Sequence, residues 1–262
     1  MPYVRDEARA VLLDIDGVLY VEDEPIAGAT EAVARLRRAG LTLRFVTNTT
    51  NRSRASTLGK LRRLGFAVAE PELITPAALA VQVCRARGHR RVAAFVAPGV
   101  RADFAALELC GAHAPAADAV IVGDLGEAWD YAALNRAFRL LIDGADLIAL
   151  QKNRYWRRGD GLSLDAGPFV AALEYATGRA ATVVGKPSAE FFAQVLAGAA
   201  VSASEATMVG DDVESDIGGA LAAGIDAILV RTGKYLEERV AASGIAPTAT
   251  VDSIADVPAL LT

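Results

Sequence analysis

Histidine and cysteine are scarce in this chain of 262 residues, two of each: His89 and His113, Cys84 and Cys110. The cysteines lack metal-like spacing and each falls in an apolar helical pattern, so they read as reduced packing thiols; neither a disulfide framework nor a zinc site is expected. No apolar run reaches the roughly 18 residues that a membrane span requires, so no membrane partner is expected. The basic stripe that would neutralise nucleic-acid phosphates is missing as well, and the formal net charge is −5. Arg35, Arg37 and Arg38, and Arg62 with Arg63, read as solvated helix faces. The opening MPYVRDEARA has none of the charged start, apolar stretch and small-residue cleavage site of a secretory signal, which sets the expectation of a cytoplasmic protein. What is present is the balance of a globular chain, long enough for two cores.

Strand-like and helix-like segments alternate through AVLLDID, ATEAVARLRRAG, LTLRFVTNTT and RASTLGKLRRLG, and each helical stretch closes on a glycine suited to a C-terminal cap. The alternation returns in TVVGKPS, SAEFFAQVLAGA, ATMVGDD, ESDIGGALAAG and DAILVRTG. Connections of this kind imply an α/β fold with a Rossmann-like parallel sheet flanked by helices. Residues 77–178 carry a second alternating block: helix at 77–87, strand RVAAFVA, helix RADFAALELC, strand DAVIVGD, helix YAALNRAFRLLIDG and strand DLIAL. The expected organisation is therefore a core of residues 1–76 and 179–262 interrupted by a smaller inserted α/β domain over 77–178.

The apolar run VLLDIDGVLY raises the chemical question, because a buried strand has no evident use for Asp14 and Asp16. Alternation along a strand puts the two on one side where the chain runs out into Gly17. In a parallel α/β sheet that carboxyl end borders the ligand crevice. Other strand ends bring Thr47 and Asn48, Lys186, and Asp211 with Asp212. Several carboxylates in one crevice call for a cation, and oxygen-only ligands favour Mg²⁺. With a lysine, a threonine and the backbone amides entering the helix that starts near Ser53, the pocket suits a phosphoryl group. Asp14 is then placed to attack phosphorus and form an aspartyl-phosphate, and Asp16 to protonate the leaving group and later deprotonate water.

DIDGV, VTN, GKPS and GDDVESD, in this order, resemble the four motifs of the haloacid dehalogenase superfamily, in its Mg²⁺-dependent phosphatase branch. The block between the second and third motifs looks like that superfamily's α/β cap of the class IIA type. GDGLSLDAGPFVAALEYATG, VVGKPS and VRTGKY resemble the group containing phospholysine phosphohistidine inorganic pyrophosphate phosphatase, among relatives such as 4-nitrophenyl phosphatase and pyridoxal phosphatase. The resemblance implies that Asp14 is nucleophile and Mg²⁺ ligand, and that Asp16 is acid/base and offers the metal its backbone carbonyl. It implies that Thr47 and Asn48 bind phosphate, that Lys186 bridges nucleophile and phosphate, and that Asp211 holds Mg²⁺. Asp216 resembles the supporting carboxylate behind the ligands, with Asp212 at a variable position beside it. VLYVEDEPI fits a short flap over the nucleophile. GDLGEAWDY stands where a cap loop selects substrate, which makes Glu127, Trp129 and Tyr131 candidates for specificity, with Arg154 and Tyr155 of NRYW. Cap-mediated homodimers are an expectation of the same kind.

The reading is a phosphatase acting on a small phosphorylated metabolite, with a P–O, a P–N or a pyrophosphate bond as the target. A non-catalytic phosphoacceptor switch of the receiver type gathers similar groups around Mg²⁺, but it is much shorter and has no use for an acid/base at Asp16. A phosphomutase or a dehalogenase on the same fold remains open, the dehalogenase disfavoured by the full Mg²⁺ set. RTGKY lacks the glycine spacing of a phosphate loop and reads as a structural turn.

Overall fold

Ala10–Asp14 is buried along its whole length, the condition under which a parallel strand reads as a continuous apolar run. The computed structural model describes residues 8–111, 113–158 and 161–262. The described chain forms two compact units: one comprises the residues up to Thr47, Leu58–Ile74 and Lys186–Thr262, the other Asn48–Thr57 and Thr75–Gly185.

The first unit is built on a six-stranded sheet in the order Ala249–Val251, Asp226–Val230, Ala206–Gly210, Ala10–Asp14, Thr42–Val46, Leu73–Ile74. Every pairing is parallel. The chain winds outward in both directions from Ala10–Asp14, so the strand order reverses between that strand and Ala206–Gly210, and the crevice of a doubly wound sheet opens at their carboxyl ends. The helix Ala29–Arg38 shows how such a sheet is covered. Ala29, Ala32, Val33 and Leu36 form one buried stripe, while Glu31 in the first turn and Arg35, Arg37 and Arg38 in the last complement the helix dipole. The chain leaves it through Gly40 at φ +84°, where a side chain would be strained. Val11, Leu13 and Phe45 from the sheet meet Leu36 and Leu61 from the helices in one core.

The second unit has its own five-stranded sheet, ordered Thr182–Val183, Asp146–Ala149, Ala119–Val122, Arg91–Phe95, Glu108–Leu109, again wholly parallel. Helix Tyr131–Ile142 packs on it through Ala137, Leu140 and Leu141, and helix Ala166–Thr177 through Val170 and Leu173. Among the described residues no helix is long and apolar enough to cross a membrane.

Two expectations are corrected. TVVG was assigned to the outer block, but Thr182–Val183 pairs with Asp146–Ala149 in the second sheet. Periodicity identifies a strand and is blind to its partner. RADFAALELC is not a helix: Pro98–Phe104 forms 3-10 turns anchored by buried Val100 and Phe104, and Glu108–Leu109 is a short strand on Arg91–Val92. Cys110 therefore follows a strand, its amide donating to the carbonyl of Val92 at 2.8 Å. Cys84 does lie in a helix, Pro76–Ala86, and burial pushes its thiol up to about 11, the state of an inert packing thiol.

Candidate active site

Asp14 ends its strand, and its neighbour across the sheet, Val46, leads directly into buried Thr47. Regular strand geometry stops there. Asp16 lies two residues further, where the following turn begins; it is exposed and forms a bridge with Tyr20. That turn needs Gly17, at φ +87°, whose amide donates to the carbonyl of Tyr20 at 2.8 Å.

Lys186 brings the ammonium. Its Nζ lies 2.5 Å from Oδ1 of Asp14 and 2.6 Å from Oδ1 of Asp216, with all three residues buried. Burial alone would lower the lysine, but Asp14 and then Asp216 outweigh it and hold Lys186 firmly protonated. Burial pushes Asp14 well above the usual carboxylate range; Lys186 pulls it back, and Asp216 and Asp211 add to the rise. Asp211 is raised to about 6, first by burial and then by the charge of Asp216.

The turn after Ala206–Gly210 carries Asp216. Val213–Gly218 winds as a π-helix, and Asp212 caps it, its Oδ1 accepting from the amides of Glu214 at 3.1 Å and Ser215 at 3.0 Å. Although burial opposes it, those amides and the charge of Lys234 hold Asp212 below its usual range. Gly210 is required here, since a Cβ on it would stand 2.3 Å from that of Asp216.

Asp211 is gripped by a segment that sequence reasoning missed. Its Oδ2 accepts from the amide of Lys234 at 2.7 Å, and a Cβ on Gly17 or Gly233 would stand 2.0 Å from that oxygen. Thr232 Oγ1 donates to the carbonyl of Gly17 at 2.5 Å. RTGKY is thus part of the site's wall; the available signal was its position just past Asp226–Val230, the strand beside Ala206–Gly210.

One oxygen each from Asp14, Asp211 and Asp216 lie within 4.8 Å of one another, and Oδ1 of Asp211 is buried with no hydrogen-bond partner. Lys186 pairs with two of the three carboxylates, all donors are hard oxygens, and one buried oxygen of Asp211 is unengaged. This donor set fits Mg²⁺.

The remaining candidates are not members of that buried carboxylate and lysine cluster. Asn48 belongs to the second unit, where its Oδ1 would be 2.9 Å from a Cβ on Gly185; glycine is what lets the chain pass there before Lys186. The amides entering helix Arg54–Arg63 are not an open phosphate cradle, because that of Arg54 donates to Asp103 at 2.9 Å and that of Ser56 to Ser53 Oγ at 3.2 Å. Trp129 is a packing residue: its ring stacks between Phe95 at 5.5 Å and Phe169 at 4.8 Å, and Nε1 donates to the carbonyl of Gly123 at 3.4 Å. Glu127 and Tyr131 are exposed on the flanking loop and helix start, and Arg154 and Tyr155 are exposed where the hairpin Tyr155–Arg158/Gly161–Leu164 begins.

A doubly wound α/β sheet with a buried carboxylate and lysine cluster at its switch point, interrupted by a second α/β unit, defines a class of protein. The sequence model of the family described as haloacid dehalogenase-like hydrolase matches residues 11–110, and a HAD-hydrolase-like model matches 183–257. Human haloacid dehalogenase-like hydrolase domain-containing protein 2 is 46% identical over 87% of this chain and 85% of its own. Human phospholysine phosphohistidine inorganic pyrophosphate phosphatase is 41% identical over 97% and 94%. The p-nitrophenyl phosphatase of Archaeoglobus fulgidus superposes with a TM-score of 0.89 at 27% identity, covering 97% of this chain and all 100% of its own. The chain belongs to the haloacid dehalogenase-like hydrolase family.

Proposed function

We propose that the protein is a Mg²⁺-dependent phosphatase that hydrolyses a small phosphorylated metabolite through an aspartyl-phosphate on Asp14. The observation that carries this reading is the buried Lys186–Asp14 ion pair beside Asp211, whose inner oxygen has no partner. Asp14 Oδ attacks phosphorus, a P–O bond to the enzyme forms, and the bond to the leaving oxygen breaks as Asp16 protonates it. Asp16 then takes a proton from water, the oxygen of that water bonds to phosphorus, and the bond to Asp14 breaks, releasing inorganic phosphate. Lys186, paired with Asp14, opposes the protonation that burial favours and, with Thr47 and Asn48, binds phosphoryl oxygens. A bound Mg²⁺, held by Asp14, Asp211 and the carbonyl of Asp16 with Asp216 behind, would offset the negative charge shared by nucleophile and phosphate.

The names of the relatives support a substrate screen that spans phosphate esters, phosphoramidates and pyrophosphate. Glu127 and Tyr131 are the exposed residues of the second unit from which substrate choice is best sought. The test is phosphate release from 4-nitrophenyl phosphate with Mg²⁺ and with chelator, for the parent and Asp14→Asn. The asparagine variant is expected to lose at least about 10³-fold in kcat, since an amide is no nucleophile. Undiminished hydrolysis by that variant, or a long-lived phosphoprotein with no turnover in the parent, overturns the reading.

A further inference from the structure

Lys60 stands in LGKLRR, a stretch that reads as an ordinary solvated helix face, yet its side chain is buried. Its Nζ donates to the carbonyl of Glu22 at 2.5 Å, lies 3.0 Å from Oδ1 of Asp23, and sits 4.2 Å from the centre of the Tyr20 ring. All three belong to the small hairpin Tyr20–Val21/Glu24–Pro25 that follows the Asp16 turn. An isolated hairpin this short is not stable, and Glu22 at its tip has φ +52°, a conformation that favours glycine.

The three contacts differ in weight. The carboxylate of Asp23 is almost wholly exposed, so that ion pair contributes little. The carbonyl and the aromatic face are what compensate a buried ammonium. Tyr20 in turn is tied to the site: its carbonyl accepts from Gly17 at 2.8 Å, and it forms a bridge with Asp16. A connected set of contacts thus runs from Lys60 through Tyr20 to the turn that carries Asp16.

We propose that Lys60 is a positioning residue: by pinning the hairpin at Tyr20 and Glu22 it holds the Asp16 turn in place for proton transfer to the leaving group. The inference rests on the reading of Asp16 as the acid/base.

The discriminating measurement is leaving-group dependence of kcat/KM, which reports the steps up to release of the first product. An alkyl phosphate needs a proton on its departing oxygen; 2,4-dinitrophenyl phosphate does not. Lys60→Met is expected to lower kcat/KM for the alkyl ester by about tenfold or more, and for the dinitrophenyl ester by less than about threefold, the pattern of weakened general-acid catalysis. Asp16→Asn, run in parallel, is expected to show the same selectivity with a larger amplitude. Lys60→Gln, which keeps a donor for the Glu22 carbonyl, supplies the comparison if the methionine variant does not fold, as judged by thermal unfolding. Equal loss on both esters, or no loss on either, in the folded variant overturns the inference about Lys60. An inactive parent, or an Asp16→Asn variant without selectivity, overturns the underlying assignment of Asp16 instead.

Discussion

The main-chain amide of Lys234 donates to Oδ2 of Asp211 at 2.7 Å, while the other oxygen of that carboxylate is buried with no hydrogen-bond partner. One half of the group is fixed by backbone and the other half is unengaged, in a residue that has one oxygen within 4.8 Å of oxygens of Asp14 and Asp216. That asymmetry is what a carboxylate needs if it is to hold a cation without swinging.

The grip on Asp211 depends on Gly233. A methyl group there would stand 2.0 Å from Oδ2, at φ +61°. Gly233→Ala is expected to raise the Mg²⁺ concentration for half-maximal phosphate release by about tenfold or more, the range found when an outer partner of a metal ligand is lost. A Mg²⁺ titration of activity checks this; an unaltered requirement contradicts it.

The raised carboxyls give a pH signature. Asp211 stands at about 6 against an ordinary 3.8, so its contribution to stability is complete below about 3.8 and is lost as pH rises through about 6. Asp14 is raised in the same direction. Mg²⁺ binds the ionised forms, so the increase in Tm that it produces should be larger at pH 7.5 than at pH 5. Scanning calorimetry with Mg²⁺ and with chelator reads this directly, and an increment independent of pH argues against a carboxylate site.

Removing the ammonium leaves buried acids facing each other. Lys186→Met is expected to cost about 3–5 kcal/mol of stability at pH 8, as for other broken buried ion pairs. The cost should shrink at pH 5, where Asp14, already raised by burial, takes up a proton more readily. Urea midpoints at the two pH values test the sign. Activity of the same variant should fall by at least about 10²-fold, the scale of a lost charge-stabilising donor.

Trp129 separates packing from specificity. Trp129→Ala is expected to destabilise the second unit by about 3–5 kcal/mol, and Trp129→Phe, which keeps a ring in the stack, by less than about 1.5 kcal/mol. A packing role leaves KM for 4-nitrophenyl phosphate unchanged in the phenylalanine variant. A several-fold shift in KM with an unchanged melting curve returns Trp129 to the substrate loop.

Element types were legible wherever a local period carried them. The apolar runs ending in Asp14 and Gly210 and the stripe of Ala29, Ala32, Val33 and Leu36 need only neighbouring residues to be read, because side-chain direction repeats every 2 residues in a strand and every 3.6 in a helix. Asp14, Thr47, Lys186 and Asp211 stood out in the same way, as polar residues just at or past apolar strands. Pairing was not local. That Thr182–Val183 joins the second sheet, that Gly233 and Lys234 wall Asp211, and that Lys60 reaches the hairpin at Glu22 are decided by which distant segments pack together. The chain alone settled the α/β alternation and the acids at strand ends, since those follow from burial and periodicity within a few residues. Folding decided which oxygen of Asp211 is held and which is left without a hydrogen-bond partner, because that depends on a backbone amide 23 residues further along the chain.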